Sequence, residues 1–184
     1  MSVGLSSAKA QCIPAEVSPK LAVGFEWSIR IEGGPTEINR VVNIKEGEMT
    51  VSVTGNGQSR TDIYTTSWGI LRGVTANNKS INYRPALPIV TFPMKNGTEW
   101  NQTVSYDVDS SSAQFQFGGR TVGVEIIKVD GKDICATKID ISSRGAKAAS
   151  CYYAEVEPGV GFLARCEGST TRSIRNFETV SFSR

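Results

Sequence analysis

Apolar and polar residues alternate without a break along Phe25-Glu26-Trp27-Ser28-Ile29-Arg30-Ile31-Glu32. A β-strand points successive side chains to opposite faces, so this pattern predicts one dry face and one wet face. The apolar face holds Phe25, Trp27, Ile29 and Ile31. Gly33-Gly34-Pro35 follows directly and ends the strand. The stretch therefore predicts a half-buried strand, and the rest of the chain repeats its style.

Strand patterns bounded by turn residues recur along the whole chain, and helical periodicity is hard to find. Asp130-Gly131 is a strong hairpin signal between two such patterns. About a dozen strands are predicted, within residues 25–32, 38–45, 49–54, 60–66, 68–74, 81–84, 100–108, 113–117, 120–129, 134–141, 149–156, 161–167 and 172–182. This predicts an all-β protein with one antiparallel domain, a strongly curved sheet or open half barrel. A β-sandwich is the alternative.

Two segments interrupt the pattern. Residues 85–93 carry three prolines, which cannot donate to a ladder, so an edge or a crossover between two halves of one sheet is predicted there. Gly118-Gly119 reads as a turn or bulge. Residues 1–20 are predicted to be an N-terminal arm or signal remnant, since Ala8-Lys9-Ala10 has the form of a secretory cleavage site. Residues 21–184 are predicted to be the β-domain.

The chain has four cysteines and no histidine. An even number at wide spacing favours two disulfides and an oxidising compartment. Two other interpretations stay open, namely reduced core thiols and a zinc site, although no Cys-x-x-Cys pair is present. The cysteines are Cys12, Cys135, Cys151 and Cys166.

Turn symmetry suggests how the cysteines pair. Cys151 and Cys166 are symmetric about the Pro158-Gly159 turn and would face each other, which leaves Cys12 with Cys135. Alternatively, Cys135 and Cys151 are nearly symmetric about the loop at Arg144, which would leave Cys12 with Cys166. The first pairing is favoured because a Pro-Gly turn fixes register more tightly than a six-residue loop does.

The charge balance bounds the partners. Lys and Arg number 20 against 18 Asp and Glu in 184 residues, a net charge of +2 without basic clustering. Nucleic acid is therefore not a predicted partner. No apolar run has the length needed to cross a bilayer as a helix, so the chain is predicted not to span a membrane.

The missing histidine removes the commonest general base and metal ligand. No catalytic residue, metal or cofactor is predicted, and the chain is expected not to be an enzyme. The alternative is a carboxylate-based hydrolase using Asp107 and Asp109, which lie two apart and would share one strand face. A solvated turn explains the same pair.

The aromatic residues give the remaining functional hint. Filling the core is the first explanation for the tryptophans near strand starts. The functional alternative is a concave face that holds an apolar ligand, lined by Trp27, Ile29 and Trp100.

Residues 83–163 carry short motifs of a known family. They are Tyr83-Arg84-Pro85, the segment from Phe92-Pro93 to Trp100, the stretch from Val122 to Ile139, and Tyr152-Tyr153 followed by Pro158-Gly159-Val160-Gly161. This pattern resembles bacterial secreted β-proteins of unknown function of the TapB-like group. It departs from them at Cys135, where a Phe is usual, and in an insertion before Pro158. The resemblance implies a periplasmic or secreted β-domain likened to lipid-cradling half barrels, with no catalytic residues to transfer.

These observations together predict a non-enzymatic periplasmic or secreted protein that acts by binding. It would be an accessory subunit of a larger assembly or a carrier of an apolar ligand. A carrier needs an enclosed apolar cavity, whereas a subunit needs a filled interior with an exposed apolar patch or free strand edge.

Overall fold

The computed structural model describes residues 12–74, 79–171 and 174–183, and in these residues all regular structure is β-strand. Twelve consecutive antiparallel strands form one sheet that closes on itself where β1 pairs with β12. The strands are β1 (Glu26–Ile31), β2 (Thr36–Lys45), β3 (Glu48–Gly55), β4 (Gln58–Thr65), β5 (Gly69–Val74), β6 (Ser80–Pro88), β7 (Glu99–Val108), β8 (Ser111–Val129), β9 (Lys132–Ser143), β10 (Ala146–Glu157), β11 (Val160–Glu167) and β12 (Phe177–Ser183).

The prediction of a single, strongly curved antiparallel sheet is confirmed. The curvature goes further than an open half barrel, because ladders connect every strand to two neighbours in a ring. The β-sandwich alternative does not describe this ring. In the described residues, no helix has the length and apolar character required to cross a bilayer.

Tight turns set the register of several hairpins. At Glu46-Gly47, Asn56-Gly57, Asp130-Gly131 and Arg144-Gly145, both turn residues have a positive φ. Two consecutive residues with positive φ are typical of the type I′ turn, whose twist matches that of the flanking strands. The Arg144-Gly145 turn is much shorter than the predicted six-residue loop, because β9 and β10 run right up to it.

The barrel is joined unevenly around its circumference. In the described residues, β4 and β5 pair only at Ile63–Arg72 and Tyr64–Ile70, and β11 and β12 pair only at Arg165–Glu178 and Cys166–Phe177. These two short ladders divide the ring into a group of five strands, β12 with β1 to β4, and a group of seven, β5 to β11. We call the two short ladders the seams.

Both predicted disulfides are present, as Cys12–Cys135 and Cys151–Cys166, so the reduced-thiol and zinc interpretations are wrong. Cys151 lies directly opposite Cys166 because two bulges cancel. Ala164 is the extra residue on β11 and Val156 is the extra residue on β10. In the rejected pairing, Cys151 would face Cys135, but the two-residue turn at Arg144-Gly145 sets a register that puts position 138 opposite Cys151, and a bulge shifts it by one residue to Ile139.

One end of the barrel is closed by chain and by aromatic side chains. Residues 12–25 precede β1 and cross this end, where Ala15 O accepts a hydrogen bond from Met94 N and Lys20 N donates one to Gly159 O. Beneath them, the Trp68 indole N–H donates to Gly161 O at 3.1 Å across the barrel. We call this the closed end; the proposed cleavage site at residues 8–10 lies outside the described residues.

Three local predictions need correction. Gly118-Gly119 lies inside the uninterrupted strand β8, where a break between two strands was predicted. The glycines are needed there because a Cβ atom at either position would clash with Trp100 of the neighbouring strand. β6 continues to Pro88, past its predicted end at Arg84; because it pairs there with β5 but not with β7, residues 85–88 still form an edge, as predicted. Trp68 has a φ of 64° in the turn before β5 and does not belong to the strand.

Candidate functional site

A polar cavity of about 630 Å³ lies at the end of the barrel opposite the closed end. Its walls come from the β1–β2 turn, the β3–β4 turn and the connection between β11 and β12. The lining includes Gly33, Asn56, Ser59 and Asn176. We call this cavity the mouth.

Ion pairs between acidic and arginine side chains form the inner part of the mouth. Glu37 accepts two hydrogen bonds from Arg60, at 2.7 and 2.8 Å, and two from Arg175, at 3.0 and 2.9 Å. The Nε–H of Arg60 also lies 3.2 Å from Asp62 Oδ1 and 3.3 Å from Oδ2. Planar guanidinium groups suit this two-point recognition of a carboxylate. We call these four residues the ion-pair cluster.

The strand alternation explains why the cluster points inwards. Glu37 and Asn39 are buried on the same face of β2, and Val53 of β3 lies opposite both Asn39 and Arg60. Gly55 provides space at this point, because a Cβ atom there would lie 3.1 Å from Glu37 Cγ and 2.9 Å from a backbone oxygen. Only a residue without a side chain therefore fits beside Glu37.

Burial and ion pairing compete in setting the pKa values of the acids. Burial alone would raise the pKa of Glu37, but the hydrogen bonds from Arg60 and Arg175 outweigh it and lower the pKa to about 2. Asp62 behaves in the opposite way, because burial raises its pKa by more than Arg60 lowers it. The carboxylates of Glu37 and Asp62 outweigh burial at Arg60 and raise its pKa. Glu37 is thus firmly ionised in the folded protein.

A second cavity of about 100 Å³ lies deeper in the barrel, between the ion-pair cluster and the closed end. Its walls include Trp27, Ile29, Tyr64 and Trp68, with residues from both sides of each seam. The ring of Trp68 makes edge contacts with the rings of Trp27 and Tyr64, with centroids 5.4 and 5.5 Å apart. This aromatic lining makes the space, which we call the inner cavity, suited to an apolar group.

Arg175 connects the two cavities. The mouth and the inner cavity share the lining residues Val74, Ile174 and Arg175, while Asp62 lines the inner cavity and Arg60 the mouth. The Arg175 side chain is 31% exposed, compared with 8% for Glu37. A molecule that entered from the mouth would therefore pass a guanidinium group before it reached the aromatic walls.

The structure brings together two of the three predicted ligand-contacting residues. Trp27 and Ile29 both line the inner cavity. Trp100 does not; its indole N–H donates to Pro88 O at 3.3 Å, and it lines a separate depression with Arg120 and Asp140. Contact of Trp27 and Ile29 with a ligand remains a prediction.

The two aspartates of the predicted carboxylate pair lie in different structural elements. Asp107 belongs to β7, whereas Asp109 lies in the following turn with a φ of 51°. Asp107 forms an ion pair with Arg84 at 3.6 Å, and Asp109 forms one with Lys79 at 2.6 Å. Asp109 is exposed, which matches the interpretation of a solvated turn, whereas Asp107 is half-buried on its strand.

Sequence reasoning missed the ion-pair cluster entirely. The strand pattern of β2 is ambiguous, because one face carries Ile38 and Val42 and the other carries Glu37, Asn39 and Val41. Hydropathy favours burial of the first face, yet Ile38 and Val42 are 42% and 45% exposed. The sequence around this glutamate gives no signal that two arginines distant along the chain will form ion pairs with it.

No family model matches the chain, and comparisons with curated proteins and with solved structures returned no match either. The two disulfides indicate an oxidising, extracellular or periplasmic environment. The barrel and its cavities must therefore support any functional conclusion on their own.

Proposed function

We propose that this protein is a non-enzymatic periplasmic or secreted binding protein that carries a small ligand in the barrel. The ligand's apolar group occupies the inner cavity, and the remainder lies in the mouth. The disulfides support a location outside the reducing cytosol, and the resemblance to the TapB-like group is consistent with it. The observation that carries the proposal is the aromatic inner cavity, adjacent to a polar mouth of about 630 Å³.

The volumes restrict the ligand. An inner cavity of about 100 Å³ has room for roughly three water-sized groups at about 30 Å³ each. The mouth lies within the range of roughly 300–1,000 Å³ that small-molecule sites occupy. A short apolar group with a larger polar part fits these two spaces, whereas a long lipid chain does not.

Acting as an accessory subunit is the other binding role. That role would use an exposed apolar patch or a free strand edge. In the part of the chain that the structure describes, each strand has a ladder with a neighbour on both sides, so no strand edge is free along its whole length; unpaired stretches remain at the seams and along β6 after Arg84. Exposed apolar side chains do occur, at Ile13 and Val17 before β1 and at Ile126 on β8. These side chains keep a protein partner as the second candidate.

One observation favours the carboxylate-based hydrolase. Glu37 and Asp62 lie on the boundary between the two cavities and have pKa values shifted in opposite directions, as an acid and base pair would. Both oxygens of Glu37, however, accept hydrogen bonds from arginines. Binding of a ligand therefore has the better support.

A series of linear 1-alkanols tests the carrier proposal, because an uncharged chain measures the inner cavity alone. Each methylene that is buried contributes about 0.8 kcal/mol, so the affinity should rise about fourfold per carbon and level off after about three or four carbons. Fluorescence of Trp27 and Trp68 in the cavity wall reports binding.

Filling the cavity supplies the matched comparison. Ile29→Phe places a larger side chain in the wall of the inner cavity and so reduces the cavity volume. Ile38→Phe makes the same substitution on the outer face of the neighbouring strand. Gly73→Leu is a second filling variant, since Gly73 lies opposite Ile81 and a Cβ there meets only Ile70, at 3.6 Å. The proposal is wrong if alkanol affinity does not depend on chain length, or if both cavity-filling variants bind the alkanols as tightly as the wild type does.

A further inference from the structure

One edge of the Arg175 guanidinium group is hydrogen-bonded, and a second edge is not. Its two Nη atoms donate to Glu37, and in the described residues its Nε–H has no hydrogen-bond partner. The Nε–H and the adjacent Nη–H of an arginine together form a second fork for a planar carboxylate. Since Arg175 lines both cavities, this fork belongs to the wall of the proposed binding site.

The two arginines of the cluster are not equally neutralised. Among the described residues, Arg60 forms ion pairs with two carboxylates, Glu37 and Asp62, whereas Arg175 forms them with Glu37 alone and shares it with Arg60. Arg175 therefore retains more uncompensated positive charge. Glu37 already accepts hydrogen bonds from two guanidinium groups, which reduces its repulsion of an incoming anion.

We propose that the ligand is a small monocarboxylate whose carboxylate binds the free fork of Arg175 and whose apolar group fills the inner cavity. This proposal rests on the proposed carrier function and adds the chemical class of the ligand. A carboxylate suits the site better than a phosphate because it is planar and carries a single charge, beside a cluster that already contains Glu37 and Asp62.

Comparing alkanoates with alkanols of equal chain length at pH 7 isolates the carboxylate contact. Butanoate should bind wild-type protein at least about tenfold more tightly than 1-butanol does, because its carboxylate forms a charge-assisted pair of hydrogen bonds with Arg175 that the hydroxyl group does not form. Arg175→Lys and Arg175→Gln should reduce that advantage below about twofold, because lysine keeps the charge but loses the fork. Arg30→Gln is the control, since Arg30 forms an exposed ion pair with Glu178 on the outer surface.

Unchanged butanol affinity shows that each variant keeps its inner cavity. A measurement on unmodified protein adds an independent readout, because the Nε–H resonance of Arg175 should shift with butanoate and not with butanol. If butanol binds but butanoate gains nothing, the monocarboxylate proposal is wrong and the carrier function stands. If alkanoates bind at Arg175 without dependence on chain length, the carrier function is wrong. If neither ligand binds, both are wrong.

Discussion

Replacing Glu37 by glutamine removes the carboxylate that holds both arginines of the ion-pair cluster. The pKa of Glu37 falls from 4.5 to about 2 on folding, and each pKa unit corresponds to about 1.4 kcal/mol. The ionised form thus contributes roughly 3 kcal/mol to the free energy of unfolding at neutral pH, similar to the cost of breaking a buried ion pair. We expect Glu37→Gln to lower that free energy by about 3 kcal/mol, measured by urea unfolding at pH 7 without reductant.

The pH dependence makes this prediction sharper. Because the folded pKa lies below the unfolded one, the contribution of Glu37 is complete above about pH 4.5 and is lost as the pH falls towards about 2. The stability difference between wild type and Glu37→Gln should therefore shrink over that interval. Asp62, whose pKa is raised by burial, titrates in both proteins and largely cancels in the difference.

An exposed glutamate provides the control for the same substitution. Glu178→Gln breaks the surface ion pair with Arg30 and should cost no more than about 1 kcal/mol at pH 7. A Glu37→Gln difference below that of Glu178→Gln, or one that stays constant between pH 5 and pH 2, would refute the electrostatic reasoning.

Other parts of the barrel give three further predictions. Gly161→Ala should destabilise the protein by about 1–3 kcal/mol, because the new Cβ would clash with the Tyr153 ring. Gly73→Ala is the control and should be tolerated, because its Cβ would meet only Ile70, at 3.6 Å. Thermal unfolding compares the two variants. Trp68→Phe leaves the buried carbonyl of Gly161 without its donor and should cost about 1–3 kcal/mol in urea unfolding, and an unchanged stability would contradict that role. Replacing both Cys12 and Cys135 by alanine should lower the free energy of unfolding by about 5 kcal/mol, because these cysteines are 123 residues apart. The same change at Cys151 and Cys166, which are 15 residues apart, should lower it by about 3 kcal/mol. The reverse order in denaturant unfolding would contradict the loop-entropy account.

The fold was largely predictable because its main determinant is local. The alternation in residues 25–32 identifies a strand from eight neighbouring residues, and Asp130-Gly131 identifies a hairpin from two. The pairing of Cys151 with Cys166 could be found by counting from the turn, although the counting worked only because the bulges at Val156 and Ala164 cancel. Closure of the sheet between β1 and β12 depends on the ends of the chain and left no such local signal.

The candidate site was not predictable because its members meet only through the fold. Glu37 lies 23 residues from Arg60 and 138 residues from Arg175 along the chain. Glu37 and Arg175 come together only when β12 closes the barrel, which places the preceding connection over the open end. The inward position of Trp27 and Ile29 could be predicted because the alternating pattern of the sequence identifies the apolar face of a strand, whereas the residue type of Trp100 does not indicate which cavity it lines.

The energetics of the ion-pair cluster bear on why the barrel contains it. Apolar side chains of similar volume often replace a buried ion pair at little cost or with a gain in stability, so stability alone does not require charges at Glu37 and Arg60. The proposed recognition of a polar ligand would use these charges, since it needs donors held in fixed positions beside an apolar cavity. Arg60, fixed by two acids, holds Glu37 in place, and Glu37 in turn orients Arg175 at the boundary of the two cavities. The inner cavity has lining residues on both sides of the two seams, and the short ladders there reduce the number of backbone hydrogen bonds beside it. A barrel selected only for stability would pair these strands fully and fill the space, and this is the physical reason for proposing that a ligand binds here.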